Sequence, residues 1–170
     1  MNPDRLVVLE LSRLEAAHLA GLVTQFAELL EETGEGLPDD PAVQRLVPDG
    51  YADNPAAARE FRDLTQRELL ERRSTDAATV LADLAGAIGD VGTARSEESD
   101  AELLETTLVR LDGDAVQAWL RTLAAIRLVL ASRLGIEHED DHDDDDPRFG
   151  VYDWIGYRLD GLVRAADGED

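Results

Sequence analysis

His138-Glu139-Asp140-Asp141-His142 has the spacing of the H-E-x-x-H helix of zinc hydrolases. In that chemistry two histidines one helical turn apart hold the metal, and the glutamate handles the proton of a metal-bound water. The surroundings differ here. Both intervening residues are Asp, four more Asp follow at once, and no apolar residue in 137–146 anchors the segment as a buried helix. Acids packed this densely repel one another and stay in water. The sequence therefore predicts a flexible acidic loop over 135–147 with no resident metal, His138 and His142 being the residues that would ligate one. Loose binding of hard divalent cations is the chemistry left to the Asp run, which lacks the Gly-punctuated spacing of an EF-hand.

Other chemistries fall away by composition. The chain has no cysteine, and all 16 of its basic residues are arginine. Thiol nucleophiles, disulfides, zinc-thiolate sites, Schiff-base lysines and the P-loop lysine are thereby excluded. No G-x-S-x-G or G-x-G-x-x-G occurs. His18 has no matched acid and serine nearby in sequence and reads as a surface or packing residue. No catalytic residue and no cofactor is expected, so the reading is not an enzyme.

Against those 16 arginines stand 38 acids, for a net charge of −22. That balance opposes direct binding to a phosphate backbone or to an anionic membrane, and it favours a basic protein partner. No run of about 18 apolar residues appears, so no transmembrane helix is expected. The N-terminus, with Asp4 and Glu10, lacks a signal-peptide layout. The expectation is a cytoplasmic single domain over 1–170.

The elements that position these residues follow from periodicity and caps. Residues 5–11 and 106–111 read as strands, expected to pair in a small sheet because a lone strand leaves its backbone unsatisfied. Ser12 with Glu15 forms a capping box that starts a helix from Arg13 to about Thr33, stopped by Gly34 and Gly36. Ala42–Leu46 holds a turn or two. Asn54-Pro55 starts a short helix to Leu64, and Thr65 with Glu68 caps a second from Gln66 to about Ile88. Residues 89–102 read as a loop. Asp112 caps a helix from Gly113 to Leu134 that Gly135 ends, and a last helix spans Phe149 to Ala166. The fold class is mainly α (α+β), a helix bundle of about four main helices with a two-stranded β element.

Residues 115–134 contain no acid and carry apolar residues on nearly every side, which predicts a central buried helix. Trp119 and Trp154 fall on apolar stripes and read as core. Arg127 shares a face with Leu120, Leu123, Leu130 and Leu134. A guanidinium there needs a partner. A structural ion pair between Arg127 and Asp153 is expected, with Glu68 the other acid considered and an anionic ligand the alternative. Arg73 raises the same question in the stripe of 66–88. The wide stripe on 149–166 leaves a homodimer open.

Three blocks carry a resemblance. Glu60-Phe61-Arg62 with Leu64-Thr65, then Ala118-Trp119-Leu120 with Arg127-Leu128-Val129-Leu130-Ala131-Ser132-Arg133-Leu134-Gly135-Ile136, and Tyr152-Asp153-Trp154-Ile155-Gly156 stand in one order along the chain. Together they resemble an actinobacterial family first described as a domain of unknown function and since named for an actinomycete oxidative-stress regulator. The resemblance implies a non-enzymatic cytoplasmic regulator that acts through protein–protein contacts in a transcriptional stress response. This chain departs from the family in having Ala124 and Ala125 in place of a polar Asn-Asp pair. Without cysteine it has no thiol sensing of its own. The alternatives are a metal-dependent hydrolase using His138-Glu139-x-x-His142, or an acidic mimic of nucleic acid.

Overall fold

The structure, a computed structural model, describes residues 6–33, 39–47, 53–88 and 100–168, with the backbone alone at 62–64 and 139. The chain runs β1 (Val7–Ser12), α1 (Arg13–Glu31), α2 (Pro41–Gln44), α3 (Pro55–Ile88), α4 (Asp100–Leu103), β2 (Thr106–Leu111), α5 (Gly113–Leu134) and α6 (Gly150–Asp167). Two 3-10 turns, Glu139–Asp141 and Pro147–Phe149, lie between α5 and α6. This is the mainly α architecture with a small β element. The stop expected at Gly34 and Gly36 and most of the 89–102 loop lie outside the described residues.

The two strands pair antiparallel, with Val7 opposite Leu111 and Ser12 opposite Thr106. Side chains alternate across a strand, so Val7, Leu11, Val109 and Leu111 face the core while Val8, Glu10, Leu108 and Arg110 face outward. Thr107 Oγ1 donates to the Ala87 carbonyl at 2.6 Å and ties β2 to the end of α3.

The caps form as the sequence requires. Glu15 N–H donates to Ser12 Oγ at 3.1 Å, and Ser12 N–H donates back to the Glu15 carboxylate at 2.9 Å. Ala115 N–H donates to Asp112 Oδ1 at 2.9 Å. Gly135, at φ +74°, takes the left-handed turn that ends α5, a conformation L side chains rarely adopt.

Residues 55–88 form one helix, not two. Thr65 does not break out to cap a new start. Its hydroxyl donates to the Phe61 carbonyl one turn back, at 2.7 Å, an arrangement compatible with an uninterrupted helix. No Gly or Pro lies between Pro55 and Gly86 to interrupt the backbone.

The core gathers Leu19, Val23 and Phe26 of α1, Val80 and Leu84 of α3, Trp119 and Leu123 of α5, and Ile155 and Leu162 of α6. Helix α5 touches α1, α2, α3, α6 and β2, which makes it central. It is not buried on every side, because Arg121, Ala124 and Leu128 face solvent. By length and composition alone α5 is long and apolar enough to cross a bilayer, although the sequence holds no run of about 18 apolar residues; 44% of its most apolar 18-residue stretch is buried inside the bundle. On α6 the stripe is covered only in part: Ile155 and Leu162 are buried, whereas Val151 and Val163 are exposed.

Candidate functional site

Arg127, His142 and Asp153 meet where the acidic loop joins α5 and α6, but with pairings of their own. The guanidinium of Arg127 lies 4.3 Å from the centre of the Tyr152 ring, and its Nε is buried with no hydrogen-bond partner. Asp153 Oδ1 sits 2.6 Å from His142 Nε2. The expected Arg127–Asp153 ion pair is thus not formed. The reason is helical geometry. Tyr152 and Gly156 are one turn apart and share the face that meets Arg127, while Asp153, one residue on, is rotated about 100° toward the loop. Arg127 lies on an aromatic face in place of a carboxylate, with its Nε left without an acceptor. Glu68 is exposed on α3, beside Phe61 and Arg72.

His142 is the anchor of the acidic segment. Its ring packs 5.0 Å from Phe149 and 5.7 Å from Tyr152, and its Nδ1 faces Asp144 at 3.5 Å. Local hydrogen bonds run through the segment. Asp141 accepts the backbone N–H groups of Glu137 and His138, each at 2.9 Å, and Asp146 accepts that of Arg148 at 3.0 Å. These bonds hold the Asp141 and Asp146 carboxyls below the usual range. For Asp141 the Glu137 and His138 amides lead; for Asp146 it is the Arg148 side chain.

His138 and His142 do not converge. Residues 139–141 form a single 3-10 turn, not the α-helix that an i, i+4 ligand pair needs, and His138 is exposed. The side chain of Glu139 lies outside the described residues. Among the described residues, the donor atoms of His142, Asp144 and Asp153 lie within 4.8 Å of one another. Both ring nitrogens of His142 already face carboxylates, so the arrangement is a carboxylate–imidazole–carboxylate clamp. His18 is exposed on α1.

Three polar constellations escaped the sequence reading. Asp76, only 7% exposed, accepts two parallel bonds from Arg121 at 2.7 and 2.8 Å across α3 and α5. That bond is the main cause that raises the Arg121 pKa. Arg73, one turn before, reaches the Leu46 carbonyl at 3.3 Å; burial lowers its pKa while Asp76 opposes the shift. An Asp inside the apolar stripe of 66–88 was the available signal. Trp119 donates to Asp83 at 2.9 Å.

The third constellation centres on Glu15, which holds the capping box, Arg158 and, at 3.4 Å, Trp154 Nε1. Burial alone would push the Glu15 carboxyl up. The Ser12 amide, Arg158 and Trp154 outweigh it and lower the pKa to about 2.

Two of the surfaces left uncovered among the described residues bear on recognition. On the outer sheet face, Leu6, Val8 and Leu108 are 54%, 46% and 44% exposed. Val8 and Leu108 are diagonal neighbours across the ladder. Between α1 and α5 runs a groove of about 320 Å³. Neither has the converging acid, base and nucleophile of a catalytic centre.

A model of an uncharacterised family, described as a domain of unknown function (DUF2017), matches residues 1–166, and the chain belongs to that family. No curated protein and no solved structure matches it.

Proposed function

We propose that this family member is a non-enzymatic cytoplasmic regulatory protein that works by binding other proteins, in transcriptional stress control as the sequence resemblance implies. The observation that carries the reading is the outer sheet face. Leu6, Val8 and Leu108 are exposed on a face that also carries Glu10 and Arg110, on a chain of net charge −22. An apolar patch with a charged surround is the form of a protein-contact surface. The surrounding acid selects basic partners and speeds their encounter. With no cysteine, the chain takes its signal from the partner or from another component.

Affinity capture with the wild-type chain and with Val8→Asp and Leu108→Asp baits tests this. Both side chains are exposed, so the variants should keep the wild-type melting temperature. A protein held by wild type at low and high salt should be lost from both variants. Recovery of no specific protein at either salt, or equal recovery by all three baits, would sink the reading. Stoichiometric zinc in the purified chain, with a thermal shift on adding more, would replace it with the hydrolase alternative. Competition by DNA for the partner surface would identify the acidic mimic.

A further inference from the structure

The groove between α1 and α5 is a separate surface with its own chemistry. Each helix packs its other sides elsewhere, α1 on α3 and α5 on α3 and α6, and the two touch each other little. Buried Phe26 and Ile126 line the gap, together with half-buried Leu22, Leu29, Val129 and Leu130. On each wall the lining runs two helical turns, from Leu22 to Leu29 and from Ile126 to Arg133, or about 10 Å. Both walls are helices, whose backbone groups are used internally. They offer no ladder to an extended strand, so recognition must go through side chains.

The rim sets the sign of the occupant. Glu28, in the last turn of α1, and Glu32, the residue that caps its C-terminus, stand one turn apart, both exposed and both without an ion pair among the described residues. Like charges at this spacing destabilise a helix, and a cation between them relieves it. Arg133, on the opposite rim, is already held by Asp40 at 2.5 and 3.0 Å. That pairing is the main reason the Asp40 carboxyl is lowered. A second copy of this chain would bring another charge of −22 to the same acids.

We propose that the α1–α5 groove receives a basic amphipathic helix of a partner protein. Its apolar residues, at i, i+3 or i+4, and i+7, lie over Phe26 and Ile126, and its Arg or Lys side chains meet Glu28 and Glu32. The proposal rests on the reading of the chain as a protein-binding regulator and adds the chemistry of a partner.

The test uses the full chain and a fluorescein-labelled synthetic helix of about 15 residues, built from Leu, Ala and Arg in an amphipathic pattern. A peptide of the same composition in scrambled order is the control. Fluorescence anisotropy at physiological salt should show the patterned peptide binding about tenfold or more tightly than the scrambled one. Glu28→Lys with Glu32→Lys should weaken it about tenfold, while Glu71→Lys, exposed on α3 away from the groove, should change it less than about twofold. Equal binding of the two peptides, or an equal loss in Glu71→Lys, would mean diffuse attraction to an acidic chain and overturn the proposal. A dimer in light scattering that Leu22→Asp dissociates would put a second copy in the groove and overturn it too. Failure here, with partner capture still sensitive to Val8→Asp, leaves the regulator reading standing.

Discussion

The guanidinium of Arg127 occupies space that a side chain at Gly156 would need. A β-carbon on Gly156 would stand 3.0 Å from Arg127 Nε and 3.4 Å from both Cζ and Nη2. Glycine in mid-helix costs about 0.5–1 kcal/mol relative to alanine. Here the missing side chain lets α6 approach α5 closely enough for Arg127 to lie on Tyr152.

Gly156→Ala should therefore depend on Arg127. In the wild-type chain the added methyl displaces the guanidinium from Tyr152, and the melting temperature should fall. In an Arg127→Ala background the same substitution should raise stability by about 0.5–1 kcal/mol, the ordinary helix gain. Gly161→Ala, on the same helix with nothing within 4 Å of the new methyl, should stabilise in either background. A double-mutant cycle by urea unfolding reads all three, and additive values would disprove the contact.

The Asp76–Arg121 pair should be asymmetric. Asp76 has a side-chain exposure of 9% against 47% for Arg121. Arg121→Ala strands a carboxylate in the core and should cost about 1–3 kcal/mol. Asp76→Ala lets Arg121 turn into water, yet removes the charge that offsets the burial of Arg73. Its cost should fall in the lower half of that range. Arg121→Lys should recover little, since an ammonium cannot make the two parallel bonds. Equal, small losses in urea unfolding for all three variants would show the pair to be surface decoration.

Periodicity and caps disclosed most of the fold because they are local. Ser12 with Glu15, Asp112 and Gly135 mark their helix ends by chemistry within one turn. The break expected at Thr65 shows the limit of that logic. The T-x-x-E pattern is permissive, and with no Gly or Pro beside it the backbone continues. Strand direction was not legible, since pairing across about 100 residues leaves no local mark. Arg127 sits where the sequence suggested a partner would be needed, but the partner is a ring face, which attracts the guanidinium without accepting from its Nε. Which of Tyr152 and Asp153 faced it depended on the rotation of α6. Gly156, in the middle of a helical stripe, was the visible clue to a close approach.

Glu15 should shape the acid limb of stability. Its folded pKa, about 2, lies below its ordinary value of 4.5. A depressed carboxyl contributes stability that is fully present above the unfolded value and is lost as pH falls through the folded one. The window is thus pH 4.5 down to about 2. The shift corresponds to at most about 3 kcal/mol, and less once solvent screening of the partly exposed side chain is allowed for. Glu15→Gln should lower stability at neutral pH and flatten the slope across this window. Urea midpoints measured at intervals of pH check both, and parallel curves for variant and wild type would refute the assignment.

His142 is the latch of the acidic loop. The ring joins that loop to α6 in two ways, through the 2.6 Å contact of Nε2 with Asp153 and through packing on Phe149 and Tyr152. The two contributions separate by substitution. His142→Phe keeps the packing and loses the Asp153 bond. Because the Asp153 side chain is 38% exposed, it then hydrates at small cost. His142→Ala loses both, leaving mutual repulsion of the loop acids unopposed at that point. Amide hydrogen exchange at Glu137 and His138, whose N–H groups are bound by Asp141, reports the order of the loop. Protection should fall from wild type to His142→Phe to His142→Ala, with amides in α1 and α3 unchanged. Added salt should narrow the gap by screening the acids. Equal protection in all three proteins would mean that the loop is held by its own turns and that His142 anchors nothing.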